Sequence, residues 1–328
     1  MPKPKVYITR TMAQEALDII GRYADYEVWP EEDTIPREEL IRHLADADGL
    51  LLWGDDTIDG EVMDAAPKLK VIANVSVGYD NIDTKAATKR GIKVSNTPGA
   101  VTESTADLAF TIMLAFARRI VEMVDLTARG EWKMWGPMAL TGLDVHHKTL
   151  GIIGMGRIGA AVARRARGFD MKVLYYNRNR REDEKELGVE YVEDIPTLLS
   201  RCDFVSINVP MKSDTQHLIG ARELACMKPT AVLVNTSRGK VVDQDALYEA
   251  LKNKRIRGAA IDVTREEPIS KDDPLFSLDN LIITPHIGAR TWQTGTDMSV
   301  LGAENLIAGL KGEPMPNCVN RAELDRAD

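Results

Sequence analysis

Several things are scarce in this 328-residue chain, and each scarcity excludes a class of protein. There are three cysteines, Cys202, Cys226 and Cys318, far apart and in no C-x-x-C arrangement. That pattern excludes a disulfide framework and a thiolate metal site, and it suits a reducing, cytoplasmic setting. No apolar run approaches the roughly 20 residues that a membrane span requires. The most apolar helical stretch, LAFTIMLAFARRIV, is interrupted by Arg118 and Arg119. The N-terminus, MPKPKVYITR, lacks the apolar core of a secretory signal. Basic residues are outnumbered, 42 against 50, so the whole-chain charge of −8 carries no nucleic-acid footprint. Of the five histidines, His43, His146, His147 and His217 lack carboxylate or thiol neighbours at metal-ligand spacing, and no metal is expected.

What the chain has in abundance is alternation. KVYITR, YEVWP, GLLLWG, KVIANVS and IKVSNTP read as strands, and helical patterns such as TMAQEALDIIGRYA and PREELIRHLADA lie between them. A second alternation runs through TLGIIG, KVLYYN, VEYV, DFVSINVP, AVLVNTS, GAAIDV and NLIITPH. This predicts an α/β protein of two doubly wound, Rossmann-like parallel sheets, one domain being inserted into the other. The switch points fall near Pro98 and His286. They predict an inserted nucleotide domain over 99–287 and an outer substrate domain over 1–98 plus 288–328. One long helix is expected over roughly 102–129, followed by an irregular arm containing Trp135 and Met138. A final helix is expected from Trp292 to Leu310.

TLGIIGMGRIG places Gly154, Gly156 and Gly159 between an apolar strand and the helical stretch IGAAVARRARGF. In that context G-x-G-x-x-G binds a dinucleotide. The first glycine makes the turn, the second admits the pyrophosphate, and the third brings helix and strand together. About 20 residues further on, the fingerprint calls for an acid that bonds the ribose hydroxyls. This chain has Asn177, with Arg178, Arg180 and Arg181 close behind. A carboxylate there would repel a 2′-phosphate by about 4 kcal/mol at roughly 4 Å and an effective dielectric near 20. An amide does not repel it, and arginines fork onto phosphate oxygens. The edge therefore predicts NADPH in preference to NADH, with NADH or dual use still open. The plainer alternative is a solvated helix start whose arginines pair with Glu182, Asp183 and Glu184.

Other rare residue types stand at strand ends: Arg238 in LVNTSRGKVVD, Asp262 and Glu267 in IDVTREEP, and His286 in TPHIG. Hydride transfer to a carbonyl needs a proton donor, for which His286 is the candidate. Glu267 would orient its imidazole, and Arg238 would hold a substrate carboxylate and polarise the keto oxygen.

These four stretches strongly resemble the D-isomer-specific 2-hydroxyacid dehydrogenases, in order and over essentially the whole chain. Within that family the resemblance is strongest to the glyoxylate/hydroxypyruvate reductases. It implies reduction of small 2-oxo acids, with Arg238, Glu267 and His286 as the catalytic trio. By motif it implies cofactor contacts from Thr105, Gly154, Met155, Gly156, Arg157, Ile158, Gly159, Thr236, Ser237, Asp262 and Gly288, and from Asn177, Arg178 and Arg180 at the ribose edge. It implies substrate contacts from Trp53, Gly54 and the backbone of Val77 and Gly78, and a homodimer built through the arm, in which Trp135 and Met138 would reach the neighbouring subunit. Thr264 departs from the aromatic residue often found after the Asp-Val pair, and the Trp53–Gly54 loop departs from the usual reductase residues. Family relatives acting on 2-ketogluconate, phosphoglycerate, formate or phosphite remain alternatives, as do dinucleotide-sensing corepressors.

Overall fold

Parallel strands buried on both faces need nearly continuous apolar sequence; most of the twelve expected runs supply it, while the edge strands Asp25–Val28 and Val189–Tyr191 carry Asp25, Glu27 and Glu190. The computed structural model describes residues 2–31, 33–54, 56–133 and 136–326. All twelve runs are strands, in two entirely parallel sheets. The chain divides into two compact units, residues 1–101 with 290–328, and residues 102–289.

The first unit holds β1 (Lys5–Ile8), β2 (Asp25–Val28), β3 (Gly49–Trp53), β4 (Val71–Val75) and β5 (Lys93–Ser95). Their order, β2-β1-β3-β4-β5, is the flavodoxin-like winding. Tyr7, Leu50, Leu52, Ile72 and Val94 project from one face into a fully buried cluster with Leu40, Leu44, Val62 and Met63. Alternate strand residues point to opposite faces, which explains why Leu51 and Ala73 are absent from that cluster although also buried. The C-terminal segment is tied to the edge strand by the Val319 amide, which donates to the Val94 carbonyl at 2.8 Å, and by one side chain. Buried Asn320 accepts from the Val94 amide at 2.9 Å and donates to the Ile92 carbonyl at 2.9 Å and to Thr88 Oγ1 at 3.0 Å.

The second unit holds β6 (Thr149–Ile153), β7 (Lys172–Tyr176), β8 (Val189–Tyr191), β9 (Phe204–Ile207), β10 (Val232–Asn235), β11 (Gly258–Ile261) and β12 (Leu281–Ile283). Their order, β12-β11-β10-β9-β6-β7-β8, is a Rossmann winding with one further strand. Val173 and Tyr175 face one core with Ala109, Phe110, Ala160 and Ala163, while Leu174 faces the other with Leu198 and Leu199. Cys202 lies in the second core, where burial pushes its thiol up to about 12, so it is an inert packing residue. No helix among the described residues is long and apolar enough to cross a membrane.

One expectation fails. The single helix over 102–129 is two helices, Thr102–Ala117 and Ile120–Ala128, with Arg119 left-handed at φ 54° between them. The reason is a long-range competitor. The Ala117 carbonyl accepts from the Leu143 amide at 2.7 Å, taking the acceptor that helix continuation would use. Periodicity carries no information about that partner. Of the arm residues, Met138 is 81% exposed, and Trp135 lies outside the described residues.

Replacing Asn320 with Ala leaves the Val94 amide and the Ile92 carbonyl buried without a partner. The expected loss is about 2–4 kcal/mol of unfolding free energy, read as a lowered denaturant midpoint. An unchanged midpoint would mean that the C-terminal segment is not held by this residue.

Candidate active site

The glycine turn sits at the carboxyl end of β6, at the point where the winding of the sheet reverses between β6 and β9. Gly154 has φ +96°, and a Cβ there would lie 2.7 Å from the Asn208 carbonyl oxygen. A Cβ on Gly159 would lie 2.2 Å from the Gly154 carbonyl, so helix Arg157–Arg167 can leave the turn only with glycine at that place. Around Gly156 the space is open, as an approaching phosphate requires. That helix is oriented by Arg165, which pairs with Glu103 at 2.9 Å and Asp107 at 2.6 Å on helix Thr102–Ala117.

Nearby buried polar atoms also fit a dinucleotide. Thr236 Oγ1 and Asn208 Oδ1 are buried and have no hydrogen-bond partner among the described residues. A ligand rich in hydroxyls and amides can satisfy such atoms, whereas a purely apolar one leaves them unpaired. Gly154, Gly156, the amides opening helix Arg157–Arg167 and Thr236 are thus the residues that would hold the cofactor. Thr105 and Gly288 come together beside Asp262, since a Cβ on Gly288 would lie 3.3 Å from Asp262 Oδ2 and 3.4 Å from Thr105 Cγ2.

The ribose edge is more occupied than its sequence suggests. Asn177 Oδ1 accepts from the Met155 amide at 3.3 Å, and Asn177 Nδ2 donates to the Asn179 carbonyl. Arg180 forks onto Glu184, with both distances 2.8 Å, and its guanidinium lies 5.4 Å from the centre of the Tyr191 ring. Arg181, which was not assigned a cofactor role, forks onto Asp183 at 2.6 Å and donates to the Met155 carbonyl at 3.0 Å. Arg178 pairs with Asp214 on the loop after β9. The pairing with Asp183 and Glu184 is the plainer alternative read from the sequence, and it exists beside the missing acid.

Arg238, Glu267 and His286 belong to the same unit, each beyond a strand end. His286 Nδ1 lies 2.6 Å from Glu267 Oε2, and Glu267 Oε1 accepts from the Thr264 amide at 3.0 Å. Burial pushes the Glu267 carboxyl up, but the hydrogen bond and charge of His286, the Thr264 amide and the Arg238 charge outweigh it. The net result is a carboxyl below the ordinary glutamate range. Thr264, the departure from the family pattern, closes the loop by donating from Oγ1 to the Glu266 carbonyl at 2.6 Å.

His286 adopts φ 52°, a conformation costing a non-glycine residue roughly 1–2 kcal/mol. Asp262 holds it there. The Asp262 carbonyl accepts from the His286 amide at 2.9 Å, and its carboxylate accepts from Thr284 Oγ1 at 2.5 Å, the Ile287 amide at 2.9 Å and the Gly288 amide at 2.8 Å. Only 1% of Asp262 is exposed, and that burial raises its carboxyl above the ordinary range despite those donors. Asn235, which the sequence reading passed over, orders the Arg238 turn. Its Oδ1 accepts from the amide and hydroxyl of Ser237 at 3.0 and 2.8 Å, and its Nδ2 donates to the Arg238 carbonyl at 3.1 Å.

The four expected substrate residues lie in the first unit. The Ser76 carbonyl accepts from the Thr97 amide at 2.9 Å, and the Val77 carbonyl accepts from buried Asn96 at 2.8 Å. In trans peptides the next N–H points the opposite way, so the Val77 and Gly78 amides face away from those partners. Asn74 similarly holds the Gly78 carbonyl at 2.8 Å. The Trp53 ring lies 5.5 Å beneath the Arg290 guanidinium, and a Cβ on Gly54 would lie 2.8 Å from Ser76 Cβ, so the two loops are packed together. Asn74, within β4, Asn96, just after β5, and Asn235, which ends β10, were missed because a lone asparagine in or beside a strand has no motif. Among the described residues no group of histidine, cysteine or acidic side chains is placed to hold a metal.

Residues 110–288 match the family model of the D-isomer specific 2-hydroxyacid dehydrogenase NAD-binding domain. A glyoxylate reductase of Korarchaeum cryptofilum is 52% identical over 321 residues, covering 97% of this chain and 96% of the relative. A glyoxylate reductase of Thermococcus kodakarensis is 49% identical over 324 residues, with 97% of each chain covered. Among solved structures, a protein of Thermus thermophilus superposes with a TM-score of 0.91 at 43% identity, covering 96% of this chain and 99% of that one. An NADPH-dependent glyoxylate/hydroxypyruvate reductase of Sinorhizobium meliloti, in complex with NADP and malonate, gives a TM-score of 0.85 at 30% identity, with 98% of both chains covered. With its two parallel sheets, its glycine turn and these relatives, the chain belongs to the D-isomer specific 2-hydroxyacid dehydrogenases, a family of NAD(P)-dependent oxidoreductases.

Proposed function

We propose that this chain reduces small 2-oxo acids to 2-hydroxy acids, glyoxylate first and hydroxypyruvate next, with NADPH as the preferred cofactor. The observation that carries the reading is the His286–Glu267 pair, 2.6 Å apart at the strand ends of the nucleotide unit. The reductases of Korarchaeum and Thermococcus, about half identical over nearly the full length, support the substrate class.

A nicotinamide dinucleotide held at the glycine turn would supply the hydride. His286, with Nδ1 on Glu267, carries on Nε2 the proton that neutralises the forming alkoxide. Glu267 fixes the ring orientation by holding Nδ1 at 2.6 Å. Arg238 presents a guanidinium to the carboxylate and keto oxygen of the substrate. The Val77 and Gly78 amides are assigned to the substrate carboxylate, with Trp53 and Gly54 beside them. Asp262 keeps His286 in its strained conformation and so sets where the proton is delivered.

NADPH preference is supported by the amide at Asn177, by the arginines behind it and by the NADP-bound Sinorhizobium relative. Dual use of NADH is favoured by one observation: Arg178, Arg180 and Arg181 each already face an acid. A homodimer is supported by apolar side chains left at the surface, among them Ile120, Val121, Val124, Trp132 and Met138.

Three outcomes are expected. His286→Ala should lower turnover about 10²- to 10⁴-fold with cofactor affinity nearly unchanged. Glu267→Gln should lower turnover about tenfold or more, because the charged acceptor that anchors Nδ1 is lost. Because the Glu267 carboxyl lies below the ordinary range, the native pair is present above that range and is lost only as pH falls through the lowered value. Near-normal turnover in the alanine variant would remove the proton-donor assignment. Second, steady-state assays over a panel of 2-oxo acids should give higher kcat/KM with NADPH than with NADH, and higher values with glyoxylate than with longer acids. Failure of every acid to oxidise NADPH would favour a dinucleotide sensor instead. Third, light scattering should give twice the mass of one chain, and a monomer mass would end the dimer reading.

A further inference from the structure

Three arginines stand at the ribose edge, and the structure divides them by the origin of their acids. Arg180 takes Glu184 from its own helix start, in a fork that also engages the Tyr175 hydroxyl, which donates to Glu184 Oε1 at 2.6 Å. Arg181 takes Asp183, two residues on, and spends its remaining nitrogen on the Met155 carbonyl of the glycine turn. Both are tied down locally. Arg178 instead takes Asp214, from a different strand-end loop 36 residues away.

That loop follows β9, and Arg178 follows β7, while β6 runs between the two strands. Neighbouring strands are about 4.8 Å apart, so the ion pair bridges roughly 10 Å across the end of β6, from which the glycine turn emerges. It therefore straps the crevice in which the adenosine half of a dinucleotide lies in this winding. Asp214 is presented by a small ordered turn: Thr215 Oγ1 accepts from the Lys212 amide at 2.8 Å and donates to the Pro210 carbonyl at 2.7 Å. Both members of the pair are exposed, and exposed pairs are weak, so an incoming phosphate can replace the carboxylate.

Resting on the NADPH reading, the geometry points to Asp214 as a cofactor-specificity residue whose carboxylate occupies Arg178 in place of the 2′-phosphate. It competes with that phosphate for the guanidinium and repels it as a like charge. By contrast, an unphosphorylated ribose is not repelled, and its hydroxyl can bond to the same carboxylate. Asp214 thus supplies from β9 the acid that Asn177 lacks at the end of β7, and it restrains the preference for the phosphorylated dinucleotide.

Calorimetric titration of the full chain with adenosine 2′,5′-bisphosphate and with AMP tests this without turnover. The parent chain should bind the bisphosphate more tightly than AMP. Asp214→Asn should tighten the bisphosphate a further three- to tenfold, roughly, leave AMP no tighter than in the parent chain, and lose part of the gain at high salt. In an Arg178→Gln background the same substitution should give no more than a fraction of that gain. An unchanged or weakened bisphosphate affinity in Asp214→Asn, or a full gain without Arg178, overturns the assignment. Equal affinity of the parent chain for the two probes would instead remove the NADPH reading, and the gain in Asp214→Asn then decides the role of Asp214 separately.

Discussion

In a parallel sheet every strand delivers its carboxyl end to the same edge, and the chemistry of this protein hangs on that constraint. β6 ends in the glycine turn, β10 in the Arg238 turn, β11 at Asp262 and β12 just before His286. No two of these strands need to be close in sequence for their last residues to meet. The sheet converts separation along the chain into proximity, while the strands themselves carry little but packing. Short apolar strands with polar punctuation are therefore enough to gather an acid, a base and a cation.

Proximity does not by itself set geometry, which is the work of buried polar side chains. Asp262 is almost wholly enclosed and its charge is disfavoured there, yet a hydroxyl and two amides converge on it. Those donors all belong to the segment that carries His286, so the cost of burying the acid is coupled to the conformation of the imidazole. Asn235 does the same for the Arg238 turn, and Asn74 and Asn96 for the loop at Val77 and Gly78. Each is a short side chain with both a donor and an acceptor, able to satisfy backbone groups that no ladder reaches.

The ribose edge follows a different logic, in which charges are balanced rather than fixed. Every arginine there has an acid, and only the one bridging to the β9 loop has an acid that is not its chain neighbour. Cofactor choice in such an arrangement is a competition among exposed ions, sensitive to salt and to single substitutions. The His286–Glu267 pair differs from it, since Glu267 is locked by the Thr264 amide as well as by His286.

The sequence by itself determined the two parallel sheets, the glycine turn and the identity of the residues at the strand ends. Short apolar runs, three spaced glycines and rare polar types after strands are local patterns, and local patterns are readable in one dimension. It did not determine where the helix after Thr102 breaks, because the amide that takes the Ala117 carbonyl comes from Leu143. Nor did it show that Arg178 meets Asp214, or that three lone asparagines brace two loops. Those outcomes were decided by tertiary structure, for one physical reason: a hydrogen bond or ion pair between distant segments depends on where the backbone brings them, and leaves no periodic trace in either segment.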